Sequence, residues 1–333
     1  MFNTVFIENN VQNNPHTSAI LGKIKFKESK LIENYSDVWG RVKKPYLQKR
    51  DTLNLFIAEK KGDLVKLAPD AYGLGKENHY YYVHAYNCIY ECQYCYLQGY
   101  FNTPDLVLFV NHDEIINEME ILISKDENTD AWFHAGEYSD SLALSHITGE
   151  LGLYFELFKK YPKNKLELRT KSVNIKPLLA LKPSENIYIS FTLSSFEGAK
   201  AFDYKCPTIT HRLNAIKQLV NHGYNIGIHL DPIIYHEGFE NEYSELLSRL
   251  GEILGDEKLG YISIGVVRFT KDVHKEVLNN YPDSPMHRQD FIKSFDGKIR
   301  YNRTMRMWIM NTVKKLCLNQ GFSEKKIYLC MEE

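Results

Sequence analysis

The chain has 333 residues, with 41 Lys plus Arg against 42 Asp plus Glu and a formal charge of −1. This excludes binding of nucleic acid through wholesale positive charge and leaves room for a local basic face. With 44% apolar and 25% charged residues, the composition is that of a folded globular protein rather than a disordered one. The apolar runs fall far short of a membrane span and the N-terminus has no secretory pattern, so a cytoplasmic protein with no membrane partner is expected.

Residues 1–30 are polar and weakly patterned, with Asn9-Asn10 and Asn13-Asn14-Pro15, and read as a segment that wraps the surface or frays. Residues 52–58 alternate like a strand, and Lys60-Lys61-Gly62-Asp63 turns into residues 64–67. The pair reads as a β-hairpin ahead of the main domain. Strand-like segments then recur at 80–85, 131–135, 165–169, 187–192, 225–230 and 261–267. Between them, residues 113–123, 145–160, 210–222 and 240–254 carry apolar side chains at helical spacing. Alternating β and α units of this kind argue for an α/β protein with a parallel sheet, either doubly wound or a partial barrel. The expected organisation is an N-terminal extension over 1–78, a main domain over 79–270 and a C-terminal region over 271–333.

Of six cysteines, Cys206, Cys317 and Cys330 stand apart, while Cys88, Cys92 and Cys95 share one short loop. Clustered cysteines in a reducing compartment point to metal or redox chemistry rather than disulfides. Zinc would want a closed tetrahedral set and a ferredoxin a fourth cysteine. Three thiolates can instead hold three corners of an iron–sulfur cube and leave the fourth iron open. Cys88, Cys92, Tyr94 and Cys95 form a C-x3-C-x-aromatic-C pattern that resembles the signature of the radical S-adenosylmethionine superfamily. The resemblance implies a 4Fe-4S cluster on Cys88, Cys92 and Cys95 with S-adenosyl-L-methionine on the open iron. It also implies reductive cleavage to a 5′-deoxyadenosyl radical, with electrons from a flavodoxin or ferredoxin-type donor. For the fold it implies a partial (β/α)6 barrel, with the β-hairpin before it and the C-terminal extension after it.

In such barrels the chemistry gathers at the carboxyl ends of the strands. Ala135-Gly136-Glu137 resembles the Gly-Gly-Glu motif that binds the cofactor's amino group, so Gly136 and Glu137 are expected there, with a charge-assisted bond from the ammonium to Glu137. The resemblance makes Lys171, Ser190 and Ser194 further cofactor candidates, though Lys and Ser are common at strand ends, and adds Tyr94, whose ring could instead pack against the cluster and shield it from water. The stretches Cys95-Tyr96-Leu97-Gln98, Asp140 with Ser145-His146-Ile147-Thr148, His236-Glu237-Gly238-Phe239 and Arg268-Phe269-Thr270-Lys271 with Tyr281-Pro282 resemble the spore photoproduct lyase family. That family reverses a thymine photodimer in DNA, and the likeness runs from about residue 52 to about 306. One position departs from it. The family's hydrogen-donating cysteine on strand two is replaced by Glu137, whose O–H bond is much too strong for the task. The candidate radical relays are therefore Tyr94, Tyr96 and Cys206.

From Arg268 to Lys315 there are eleven Lys or Arg against five Asp or Glu. Within this stretch, Asp296-Gly297 reads as a hairpin turn flanked by basic and aromatic residues. Arg268, Lys298, Arg300, Tyr301 and Arg303 are the candidates for contact with DNA or another nucleic acid, cations tracking phosphates and rings stacking on bases. The rival readings are a radical enzyme acting on a peptide or small metabolite, and a non-catalytic nucleic-acid-binding iron–sulfur protein.

Overall fold

A computed structural model of the chain describes residues 2–38, 52–69, 77–98, 100–101, 105–125, 127 and 130–331. Six parallel strands lie side by side in chain order: His79–Tyr82, Trp132–Ala135, Lys165–Thr170, Ile187–Thr192, Asn225–Ile233 and Leu259–Val266. Helices including His112–Ile123, Leu151–Lys160, Ile209–His222 and Phe239–Gly251 fill the connections, which gives the partial (β/α)6 barrel. Val65–Leu67 adds an antiparallel strand at one edge and Ile327–Leu329 a parallel one at the other.

Residues along each strand alternate in chemistry because successive side chains point to opposite faces of the sheet. Phe133, Leu166, Leu168, Ile187, Ile189, Ile226, Ile228 and Ile262 belong to one buried apolar core shared with the helices. The intervening His134, Glu167, Ser190, His229 and Tyr261 are buried too, and they bond to one another.

The N-terminal region departs from the sequence reading. The β-hairpin expected over 52–67 does not form. Leu53–Ala58 pairs in parallel with Phe2–Glu8 and Leu106–Phe109, while Val65–Leu67 joins the barrel. Leu55, Phe56, Ile57 and Ala58 are all buried, which suits an inner strand covered on both faces and not a hairpin with one wet face. Residues 2–30 do not fray. Phe2–Glu8 is an inner strand with Val5 fully buried, and Phe26–Ile32 pairs beside it. The Asn-Pro pair that looked like loop starts the helix Pro15–Leu21: Asn14 Oδ1 accepts from His16 N at 2.8 Å and Pro15 occupies the first turn. The expected helix over 145–160 is likewise two pieces, Ser145–Thr148 and Leu151–Lys160, parted at Gly149 with φ +74°.

Gly227 on the fifth strand is required by a close approach. A Cβ there would lie 2.3 Å from Ser190 Oγ and 2.8 Å from the Tyr261 ring, which meet each other at 2.8 Å in the space it leaves. Gly227→Ala is expected to lower unfolding stability by about 1–3 kcal/mol. A reduced urea midpoint at unchanged slope would register this, and an unchanged midpoint would show that the lumen yields freely.

Candidate functional site

The first strand leads through Ala85–Tyr86 to Asn87, at φ 62°, whose side-chain amide donates to Asp105 O at 2.7 Å. The chain there turns into the cysteine loop. Glu91–Cys92 pairs antiparallel with Asp203–Tyr204, the segment that follows the helix Phe196–Phe202 beyond strand four. This pairing groups Cys88, Cys92 and Cys95 with Cys206, Tyr90, Tyr94, Ile89 and Ala143. Cys92 Sγ lies 3.6 Å from Cys206 Sγ. Asp203 anchors the junction: Arg212 Nη2 donates to it at 2.7 Å and Tyr94 donates its hydroxyl. Arg212 is itself fully buried and also donates to the carbonyls of Thr192 and Pro207. Lys171 Nζ stands 5.4 Å from the centre of the Tyr94 ring. Burial works against the charge on Lys171, but Cys92 and Asp203 outweigh it and push its pKa up.

These residues fit a 4Fe-4S cluster with S-adenosyl-L-methionine. Three sulfurs form a soft donor set. Burial pushes the Cys88 thiol well up and Cys95 up to about 12, while the bond from Cys206 lowers Cys92 against its own burial. A metal that displaces the protons would relieve that cost. Cys92, Asp203 and Cys206 also bring ligand atoms within 4.8 Å of one another, but Asp203 is committed to Arg212 and Tyr94 and acts as an anchor. Next to the loop, Gly136 has φ +93°, and a Cβ there would meet Ser141 Oγ at 2.7 Å and Arg169 O at 3.0 Å. Ser141 Oγ beside it, and Ser194 Oγ past the end of strand four, are buried and lack hydrogen-bond partners among the described residues, which suits polar ligand groups at these strand ends.

Asp140 fixes the strand-two turn. Its carboxylate accepts from the backbone of Leu142, Ala143 and Lys171 and from Thr170 Oγ1, which ties the ends of strands two and three together. Glu137 is half-buried in that turn, and its carbonyl accepts the Tyr96 hydroxyl. Ser190 does not join this group. It is fully buried deeper in the barrel against Tyr261, so its expected cofactor contact is corrected to a lumen hydrogen bond.

The lumen holds a polar network that motif reading missed, because its members come from six strands at no fixed spacing. Glu167, fully buried, accepts from His134, from Tyr261, from His229 Nε2 at 2.8 Å and from Arg169 at 3.2 Å. His79 Nδ1 lies 2.9 Å from His134 Nε2. Burial alone would raise Glu167, but the Arg169 guanidinium and then His134 hold it well below the usual carboxylate range. Higher up, Arg268 makes a two-pronged pair with Asp231, both bonds 3.0 Å, and Nη2 also meets Cys330 Sγ at 3.5 Å.

The basic hairpin forms as expected: Ile292–Lys293 pairs with Ile299–Arg300 around Gly297 at φ +79°. Its candidate residues divide. Tyr301 is fully buried, donating to Gln289 and accepting from Tyr235 N, and Arg300 is buried against Ser294 and Asp296. Both are corrected to supports of the hairpin, because rings and cations at its base pack inward. Arg268 is engaged by Asp231, and Lys298 pairs with Asp296 at 3.5 Å. Arg303 is exposed at the start of the helix Arg303–Asn319. The sequence reading missed Phe295, which is 100% exposed at the tip. Its place just before the Asp-Gly turn was the available signal.

A parallel barrel with a three-thiol loop at its carboxyl end defines the radical S-adenosylmethionine class. Within it, the spore photoproduct lyase family profile matches residues 75–325, most of the chain, and the protein belongs to that family. Spore photoproduct lyase of Clostridium acetobutylicum is 26% identical over 218 residues, 65% of each chain. That of Bacillus subtilis is 27% identical over 205 residues, 61% of this chain and 60% of the relative. The alignments thus span less than two thirds of these relatives' length. Among solved structures, spore photoproduct lyase complexed with dinucleoside spore photoproduct has a TM-score of 0.82 at 20% identity, covering 99% of this chain and 98% of that one. A mutant with bound AdoMet and dinucleoside spore photoproduct also has 0.82, at 21% identity, covering 100% and 99%.

Buried histidines give the protein an acid-labile side. Burial, and then His134, hold His79 down to about 4, and burial with His16 holds His112 at about 3. The unfolded chain takes up these protons near pH 6.5 and the folded chain does not. Stability is therefore expected to be full above about pH 6.5 and to fall as the pH drops toward about 4. His112→Gln should flatten that slope in urea melts across the window, and an unchanged slope would place the liability elsewhere.

Proposed function

We propose that the protein is a radical S-adenosylmethionine enzyme acting on a thymine photoproduct in DNA. The observation that carries the reading is the set of three thiols grouped in one cluster at the carboxyl end of the barrel, in a chain of this family. When bound, the cluster and S-adenosyl-L-methionine supply a 5′-deoxyadenosyl radical that removes a hydrogen atom from the substrate. Cys88, Cys92 and Cys95 hold the iron. Glu137 accepts the cofactor's ammonium, Gly136 lets the backbone approach it, and Ser194 offers a free hydroxyl. Lys171 and Arg212 offset the negative charge of the thiolates, and Tyr94 packs beside them with its hydroxyl tied to Asp203. The electrons come from a flavodoxin or ferredoxin-type protein. On the DNA side, Phe295 at the hairpin tip wedges against the bases and Arg303 faces phosphate.

Anaerobic reconstitution tests the chemistry. Wild type is expected to bind iron and sulfide and to release 5′-deoxyadenosine with dithionite and S-adenosyl-L-methionine. Cys95→Ala should lose both, and Cys206→Ala should keep its iron. A loaded wild type that releases no 5′-deoxyadenosine would sink the radical reading. Phe295→Ala should weaken binding to photoproduct-bearing duplex by about 1–3 kcal/mol, the worth of one stacked base. Fluorescence anisotropy reads this directly, and unchanged affinity would remove the tip from the interface.

A further inference from the structure

The strand-two turn that carries the family's donor cysteine reads Ala135-Gly136-Glu137-Tyr138-Ser139-Asp140 here and contains no thiol. A carboxylic O–H cannot surrender its hydrogen atom to a thymine radical, whereas a phenol O–H is about as weak as a thiol S–H. One residue beyond Glu137, Tyr138 is 9% exposed, and its hydroxyl accepts from Tyr100 at 3.2 Å and also meets the hydroxyl of Tyr81. The rings of Tyr96 and Tyr100 lie edge to face at 6.0 Å. Tyr96 follows Cys95 and donates to the carbonyl of Glu137. The Tyr138 ring packs among Phe56, Val107 and Phe109, and one hydroxyl contact and one ring contact lead from it through Tyr100 and Tyr96 to the cysteine loop.

We propose that Tyr138, hydrogen-bonded to Tyr100, is the terminal hydrogen-atom donor of this protein, with Tyr96 linking the pair to the cysteine loop. This rests on the radical reading above. The product thymine radical takes a hydrogen atom from the Tyr138 hydroxyl: a C–H bond forms, the O–H bond breaks, and a neutral phenoxyl radical remains, shared with Tyr100. One electron from the same flavodoxin or ferredoxin-type donor and one proton from water at Tyr100, which is 53% exposed, restore the phenol. Burial raises the pKa of Tyr138, so the phenol stays protonated and its hydrogen is present to give. The other candidates are placed for other work. Tyr94 is spent on Asp203, Cys206 lies against Cys92, and Cys330 lies against Arg268, which is paired to strand five.

Two measurements decide it. In the first, cluster-free protein is oxidised by one electron with azide radicals and the phenoxyl signal is followed by electron paramagnetic resonance. The long-lived signal should fall several-fold in Tyr138→Phe and in the half-exposed Tyr100→Phe, and persist in Tyr161→Phe, which sits in the turn before strand three. A signal that survives Tyr138→Phe overturns the proposal whatever the substrate. In the second, reconstituted protein turns over dinucleoside spore photoproduct in D2O. Wild type should yield thymine carrying deuterium, while Tyr138→Phe consumes photoproduct with thymine yield down about tenfold. Full yield from Tyr138→Phe, or a loss confined to Cys206→Ala or Cys330→Ala, overturns it. A wild type that passes the first measurement and leaves photoproduct intact sinks the substrate reading, while the tyrosine store stands.

Discussion

The buried ion pair between Arg212 and Asp203 is the constraint on which the site depends. The cysteine loop has almost no regular structure of its own, only the two-residue pairing of Glu91–Cys92 with Asp203–Tyr204. Both members of the pair are out of water, at 0% and 2% side-chain exposure, so each charge is tolerable only with its partner in place. Arg212 comes from the helix that follows strand four, Asp203 from the segment that pairs with Cys92, and Tyr94 from the loop itself. Removing either charge would strand the other, at a cost of about 3–5 kcal/mol. The position of three thiols around a prospective cluster is thus set by an interaction one layer behind them.

A second buried charge closes the barrel from below. Glu167 gathers donors from strands two, three, five and six, and Ser190 of strand four reaches it through Tyr261. A carboxylate in such a place must have its lone pairs occupied, and here they are. The consequence is a lumen plugged by hydrogen bonds in its lower half. Past the ends of strands two and four, by contrast, the buried hydroxyls of Ser141 and Ser194 have no hydrogen-bond partner among the described residues.

The alternating strands and helices were legible in the sequence because they repeat in periods that need only local reading, and the short cysteine spacing carried the resemblance that chose a partial barrel over a doubly wound sheet. The N-terminal sheet was not. Its parallel strands find partners some 50 residues away, as Val5 does with Leu55, and Leu53–Ala58 is apolar on both faces, so alternation gave no guide to its neighbours. Site residues divided along the same line. Gly136, Glu137 and Lys171 could be named as candidates because strand ends are predictable, and the structure places them at the ends of strands two and three. Ser190 was misjudged because its depth depends on the space above Gly227 and on Tyr261, 71 residues away. Arg212 and Glu167 carried no motif at all.

On the proposed reading, Glu137 changes the chemistry of the strand-two turn while its frame is kept. The turn around it is held by bonds that do not involve the Glu137 side chain: Asp140 binds four donors across two strands, and the Glu137 carbonyl holds Tyr96. A carboxylate there is suited to an ammonium and unsuited to giving a hydrogen atom, so one side chain cannot serve both purposes. The second purpose has to move to a neighbour, and the neighbouring position must offer a weak X–H bond sheltered from bulk water yet connected to it. Tyr138 meets the first requirement and its contact with half-exposed Tyr100 the second. A frame that stays close to its relatives at about one fifth sequence identity, with a TM-score of 0.82, leaves room for such a relocation, because fold and hydrogen donor are specified by different residues.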